Sequence, residues 1–248
     1  MAADVPTILA TSGGLRPGRR TDLEFGPLMT HAVELAGVQG RAPRLCTLGT
    51  ATGDQRHWAG QLSEAGRVAG VELSVLHLFP MPSVDDVEAQ LLAQDVVWVG
   101  GGSVVNLLAV WRAHALDVVF ERAWRAGVVL SGVSAGSLCW HVGGTTDSFG
   151  PQLRPITDAL GLLPYGNAPH YDSDPQRRPL THRLVAEGTL PTSYCADDGV
   201  GLHYRGTDLV EAVTDRPGQA AYRVTRQAGG TVVEDRIEPR PLPVPRTG

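Results

Sequence analysis

The run Val128-Val129-Leu130-Ser131-Gly132-Val133-Ser134-Ala135-Gly136 joins an apolar segment to a serine flanked by glycines. Its two halves specify a strand that ends in a sharp turn and gives way to a helix. Glycine on either side lets the backbone take a strained turn, lifts the Ser134 hydroxyl clear of the sheet and leaves room for a substrate. Small residues also occur at such turns for close packing alone, so the pattern acquires chemical meaning only from its surroundings.

Upstream of that run, apolar strands alternate with helical stretches. Thr7 to Thr11 reads as a first strand, followed by the turn Ser12-Gly13-Gly14 and a helix over 27–36. Leu45 to Leu48, Val71 to Leu78 and Val96 to Val99 read as further strands, and 57–68 and 84–93 as helices. Ser83 is the expected N-cap of the second of these, with Asp85 and Asp86 in its first turn. Helical sequence returns through Trp111 and from Leu116 to Ala126. Repeated βα units of this kind predict an α/β fold, a mainly parallel sheet sandwiched by helices. Beyond Thr192 the pattern changes to short strands near Ser193 to Ala196, Val200 to Tyr204, Leu209 to Val213 and Ala221 to Val224. They predict a mixed or antiparallel C-terminal extension of the sheet. One domain over 1–238 and a loose Pro-rich tail over 239–248 complete the expected organisation.

Sites in such sheets lie at the carboxyl ends of strands. Gly100-Gly101-Gly102-Ser103 and Ser134 both fall at that edge, on consecutive strands. A triple glycine suits a phosphate cradle, a packing turn or an oxyanion site, but no G-x-G-x-x-G spacing or following Lys-Ser/Thr supports a nucleotide. Next to a nucleophile, a backbone N–H of this loop and that of Ala135 are placed to hold the oxygen that becomes negative when a carbonyl is attacked.

A serine nucleophile needs a base and an orienting acid. Of the eight histidines, His31, His57, His77, His114 and His141 lie in helical, turn or strand contexts that suit structural roles. His170 follows a long loop in the turn-rich Asn167-Ala168-Pro169-His170-Tyr171, where a base is offered from a Pro-set bend. Cys195-Ala196-Asp197-Asp198-Gly199 ends a strand, and a carboxylate there is placed to fix the imidazole tautomer, although paired aspartates before glycine also make ordinary turns.

Composition excludes other chemistries. All 21 basic residues are arginine, so a Ser/Lys dyad, a Schiff base, pyridoxal phosphate chemistry and a Walker A lysine are ruled out. The net charge of −5 with scattered arginines gives no nucleic-acid stripe. No apolar segment approaches the ~20 residues of a membrane span and the start lacks signal-peptide features, which predicts a cytoplasmic protein without a membrane partner. Cys46, Cys139 and Cys195 form no C-x-x-C pair and read as buried small hydrophobes.

Taken together, Val99-Gly100-Gly101-Gly102, Gly132-Val133-Ser134-Ala135-Gly136-Ser137, Ala168-Pro169-His170-Tyr171 and Ala196-Asp197-Asp198-Gly199 resemble the peptidase E family of serine peptidases, which includes aspartyl dipeptidases and, more distantly, cyanophycinases. The blocks span about residues 96–200, and the order Ser, His, acid sets them apart from an α/β-hydrolase, whose acid precedes its histidine. The resemblance implies a class I glutamine amidotransferase-like fold and a dimer. It also implies a cofactor-free and metal-free exopeptidase of short peptides, with Ser134 as nucleophile, His170 as general base and Asp198 as orienting acid. The family often has glutamate at this last position; aspartate is one methylene shorter, so either the backbone sits closer to His170 or another group, such as neighbouring Asp197, assists. Gly101 or its neighbour Gly102 and Ala135 are implied as oxyanion or substrate contacts, and Arg177 or Arg178 as the partner of an acidic substrate side chain. The flanking Asp172-Ser173-Asp174-Pro175-Gln176 departs from the aspartyl dipeptidase pattern, so both Asp-X and other peptides, including those read from the carboxyl end, remain expected substrates. Other readings are an esterase pairing Ser134 with Asp172 or Asp174 and His182 or His203, a metal site at His170-x-Asp172-x-Asp174, and a non-catalytic anion-binding module.

Overall fold

Apolar side chains alternate along the buried strands and sort the core into two layers. Ile8, Ala10, Val97 and Val99 pack with Leu107, Trp111 and Phe120, whereas Leu9, Val96 and Trp98 pack with Leu28, Met29 and Ala65. A period of two with helices against both faces is the mark of a covered parallel sheet.

The computed structural model describes residues 3–243. Its first half runs β1 (Thr7–Thr11), the hairpin β2 (Leu15–Pro17) and β3 (Leu23–Phe25), α1 (Pro27–Leu35), β4 (Arg44–Leu48), α2 (Arg56–Ala69), β5 (Glu72–Leu76), α3 (Val87–Leu92), β6 (Val96–Val99), α4 (Val104–Ala113), α5 (Leu116–Arg125) and β7 (Val129–Val133). The second half runs α6 (Ala135–Leu138), β8 (His141–Thr146), β9 (Arg154–Ile156), β10 (Leu163–Pro169), α7 (Arg177–Glu187), β11 (Ser193–Ala196), β12 (Val200–Arg205), β13 (Asp208–Thr214), β14 (Ala221–Arg226), β15 (Val232–Ile237) and β16 (Arg240–Pro241). No helix among the described residues is long and apolar enough to cross a membrane.

The larger sheet has eight strands in the order β16-β13-β12-β1-β7-β6-β4-β5. β1, β7, β6, β4 and β5 are parallel, and β12 and β13 extend the sheet antiparallel from β1. The strand that delivers Ser134 is thus central, hydrogen-bonded to β1 on one side and β6 on the other. A second sheet has six strands in the order β15-β14-β11-β10-β8-β9. Within it β10 lies parallel to both β8 and β11, and α7 covers it through Leu180, Leu184 and Val185.

The α/β class with a mainly parallel sheet and an antiparallel C-terminal extension is therefore observed. Four details differ from the expectation. The late strands divide between the two sheets, and the segment before His170 is three strands rather than a long loop. The helix expected from Val84 with a Ser83 cap begins at Val87, because Asp86 accepts from the Ala89 N–H at 2.9 Å while Ser83 Oγ accepts from the His77 N–H at 3.1 Å. The Pro-rich end is not loose at its start: Arg240 binds both oxygens of Glu211 at 2.8 and 2.9 Å, β16 pairs with β13, and Leu242 is buried. The remainder of that segment, 244–248, lies outside the described residues.

Candidate active site

β7 ends in a residue that L-amino acids rarely tolerate: Ser134 has φ 59° and ψ −111°. Such a conformation costs on the order of 1–3 kcal/mol and persists only where the surroundings over-determine it. Here the Ser134 N–H donates to Thr11 O of β1 at 3.1 Å, and its carbonyl accepts from Ser137 and Leu138 as α6 begins. Thr11 Oγ1 adds a bond to Gly132 O at 2.9 Å. A side chain at Gly132 would meet Gly136 O and Val99 O at 2.6 Å, and one at Gly136 would run into the Val99 carbonyl. Both glycines are therefore demanded by the close seat of the turn on β6. Ser134 itself stays half-buried.

The glycine loop after β6 lies against this turn. A Cβ on Gly101 would come 3.2 Å from Ser134 Cβ and 3.8 Å from its Oγ. Gly102, at φ 132° and with Ala51 O 2.6 Å from where its Cβ would be, admits no other residue without strain. Ala135 is the first residue of α6, where N–H groups have no intrahelical acceptor. The Gly101 backbone and the Ala135 N–H thus both border Ser134, the arrangement an oxyanion site would need.

His170 closes β10 in a left-handed conformation, φ 56°. Its Nδ1 meets Asp198 Oδ1 at 2.5 Å, with both side chains about 30% exposed. The pair forms because β10 and β11 are parallel neighbours in register, Pro169 opposite Ala196, so their carboxyl ends emerge together. The Asp198 N–H is fixed by Asp172 Oδ1 at 2.8 Å, and Gln219 Nε2 holds the other Asp172 oxygen at 2.8 Å. Asp197 points elsewhere: it is buried, accepts from the Ala220 N–H at 2.9 Å, and burial raises its carboxyl above the usual carboxylate range.

Two anchors tie the two sheets together at this edge. The His170 N–H donates to Ser12 Oγ at 3.1 Å, while Ser12 Oγ also donates to Ala196 O at 3.1 Å. Ser134 and His170 are therefore held by consecutive residues, Thr11 and Ser12, at the end of β1. Buried Ser137 donates to Asn167 Oδ1 at 3.1 Å, tying α6 to β10. Neither Ser12 nor Asp172 lies in a motif that marks it as a positioning residue. Their signal was position: Ser12 follows the first strand at the same carboxyl edge as Ser134.

The two arginines are engaged elsewhere. Arg177 is buried, donates to Thr145 O at 2.8 Å, and burial lowers its pKa. Arg178 stacks on the Tyr171 and Tyr222 rings at 4.7 and 4.6 Å and meets Glu234 at 2.5 Å. His182 and His203, the alternative bases, bond to Glu234 at 2.8 Å and Glu211 at 3.4 Å. Among the described residues the group able to share a cation is His31, His203 and Glu211, within 4.8 Å of one another, and not His170 with Asp172 and Asp174. All three cysteines are buried, and burial pushes their thiols up, Cys46 to about 11, so none is poised as a nucleophile.

Residues 8–212 match the model of peptidase family S51. The uncharacterized peptidase YgaJ of Bacillus subtilis is 39% identical over 206 residues, which cover 83% of this chain and 86% of that protein. Peptidase E of Streptomyces coelicolor is 29% identical over 150 residues, 59% of this chain and 60% of its own length. A peptidase from an acI-B1 Actinobacterium has a similar fold, with a TM-score of 0.67 over 96% of both chains at 15% identity. By the family match and the extent of its relatedness to YgaJ, this chain belongs to peptidase family S51, the peptidase E family of serine peptidases.

Proposed function

We propose that the protein is a serine exopeptidase of short peptides that works through a Ser134-His170-Asp198 triad and an acyl-enzyme. The observation that carries this reading is the pair of backbone anchors on β1, Thr11 for Ser134 and Ser12 for His170, with Asp198 bonded to the far side of the imidazole. Ser134 Oγ attacks the scissile carbonyl carbon and His170 Nε2 takes the hydroxyl proton. Asp198 holds Nδ1–H and stabilises the imidazolium that forms, while the Gly101 and Ala135 N–H groups receive the oxyanion. His170 then protonates the leaving amine, and water activated by the same imidazole releases the acyl group.

Two features support specificity other than N-terminal aspartate. Arg177 is enclosed on Thr145 O, and Arg178 lies against the adjacent Tyr171 and Tyr222 rings and is paired with Glu234, so neither offers a free guanidinium to a substrate carboxylate. Three unpaired buried cysteines fit a reducing, cytoplasmic setting. The test is hydrolysis of a peptide panel, Asp-X dipeptides and blocked termini included, by wild type, Ser134→Ala and His170→Ala. Cleavage lost in both variants is expected. Undiminished cleavage in His170→Ala would favour the esterase arrangement, and no Ser134-dependent turnover at all would favour an anion-binding module.

A further inference from the structure

Beside the nucleophile turn an open cavity of about 220 Å³ runs between the carboxyl ends of β4 and β6 and the outer helix α2. Its apolar walls are Leu15, Leu48, Trp58, Leu62, Trp98 and Val133, and no charged side chain contributes to them. Gly101 and Val133 also border the Ser134 turn: a Cβ on Gly101 would come 3.2 Å from Ser134 Cβ, and Val133 precedes Ser134 in the chain. Trp58 and Leu62 lie four residues apart on one face of α2, and Trp58 leaves 43% of its surface open while Trp98 is buried beneath. An exposed indole over an apolar floor, continuous with an oxyanion loop, is an unfilled contact surface for something apolar.

We infer that this cavity is the specificity subsite, and that it takes an apolar side chain, branched aliphatic or phenyl, from the residue flanking the scissile bond. The inference rests on the acyl-transfer role proposed for Ser134. A dry cavity of ~150 Å³ already accepts a benzene ring, so the available volume suits Leu, Met or Phe. A carboxylate or ammonium placed there would lose its hydration with no countercharge in the walls, which disfavours both acidic and basic side chains. A smaller recess of about 20 Å³, bordered by Thr52, Trp58 and Leu62, continues toward Asp54 and His77. It has room for roughly one water, not for the head of a lysine or arginine.

The experiment compares kcat/KM for Ala-X and X-Ala peptides, X being Ala, Leu, Met, Phe, Lys or Asp, in wild type and Trp58→Ala. At one of the two positions Leu, Met or Phe should exceed Ala by roughly 10- to 100-fold, chiefly through KM, with Asp and Lys no better than Ala. Trp58→Ala should cut the Phe-to-Ala ratio about tenfold. Preference for Asp or Lys, or a ratio unchanged by Trp58→Ala, overturns the subsite. Calorimetry of Ala-Phe and Phe-Ala binding to Ser134→Ala, with and without Trp58→Ala, separates the two layers of inference. Turnover without apolar preference leaves the peptidase reading and removes the subsite. Trp58-dependent binding without turnover by wild type does the reverse, and neither binding nor turnover removes both.

Discussion

Replacing Asp198 with asparagine keeps the shape of the turn, because the backbone N–H of residue 198 still reaches Asp172 Oδ1 at 2.8 Å, but removes the charge that faces His170 Nδ1 at 2.5 Å. A hydrogen bond to a charged group is worth about 1.5–3 kcal/mol. The pair is about 30% exposed, so solvent screens part of that attraction. The amide also offers a donor as readily as an acceptor to Nδ1, so some molecules carry the wrong tautomer. Together these effects raise the barrier by about 2–4 kcal/mol, a loss of roughly 30- to 1,000-fold in kcat. KM should change little, since Asp198 does not line the apolar cavity. The assay is steady-state hydrolysis of the best peptide from the panel, with Asp197→Asn alongside, whose carboxylate binds Ala220 and should cost less than tenfold. A kcat for Asp198→Asn within threefold of wild type, or a larger loss in Asp197→Asn, would refute the assignment of the acid.

Other consequences follow from the packing. His141 is fully buried between Ser137 O and Tyr204 OH, and burial pushes its pKa down to about 3. Its unfolded value is ~6.5, so stability present above that pH is lost as pH falls toward 3, at about 1 kcal/mol per pH unit. Thermal melts between pH 7 and 4 should show this slope in wild type and a flatter one in His141→Gln. Asp197 behaves oppositely: its carboxyl is raised by burial, so its contribution is full below the unfolded value of ~3.9 and falls as pH rises through the folded value. Asp197→Asn, which can still accept from the Ala220 N–H, should therefore match or exceed the wild-type melting temperature at pH 7. Gly102→Ala would force a Cβ against Ala51 O, displacing the glycine loop and costing roughly 1–3 kcal/mol of stability together with most activity. A melting temperature and kcat both equal to wild type would contradict the need for glycine there. Ser12→Ala removes the bond to the His170 N–H without touching the substrate, and a fall in kcat with KM retained is the expected signature.

The parallel half of the fold was legible because its strands are buried on both faces and read as short apolar runs between helices. Thr7 to Thr11 and Val96 to Val99 were placed to the residue. Of the second sheet, β11 and β14 were legible as short strands but the rest was not, and β8 and β10 explain why. They carry Gly143, Gly144, Pro164 and Pro169, which local propensity assigns to loops. Gly144 is there because Asn167 O occupies the place of its Cβ, a requirement visible only once β8 and β10 pair. The proposed site was legible residue by residue, since Ser134, His170 and Asp198 each stand at a strand end. How they meet was not: the register of β10 on β11 and the paired anchors Thr11 and Ser12 belong to two sheets brought together in space. The arginine positions failed to indicate a pocket for the converse reason, because spacing along α7 does not say that Arg177 turns inward or that Arg178 lies over a pair of tyrosines.

The central claim is that Ser134 is a nucleophile activated by His170. Its most direct test is reaction of the native protein with a fluorophosphonate, followed by mass spectrometry of the digested chain. Stoichiometric phosphonylation of Ser134 in wild type, slowed at least a hundredfold in His170→Ala and absent in Ser134→Ala, is the predicted result. Labelling of any other serine at a comparable rate, or of Ser134 equally fast without His170, would contradict it.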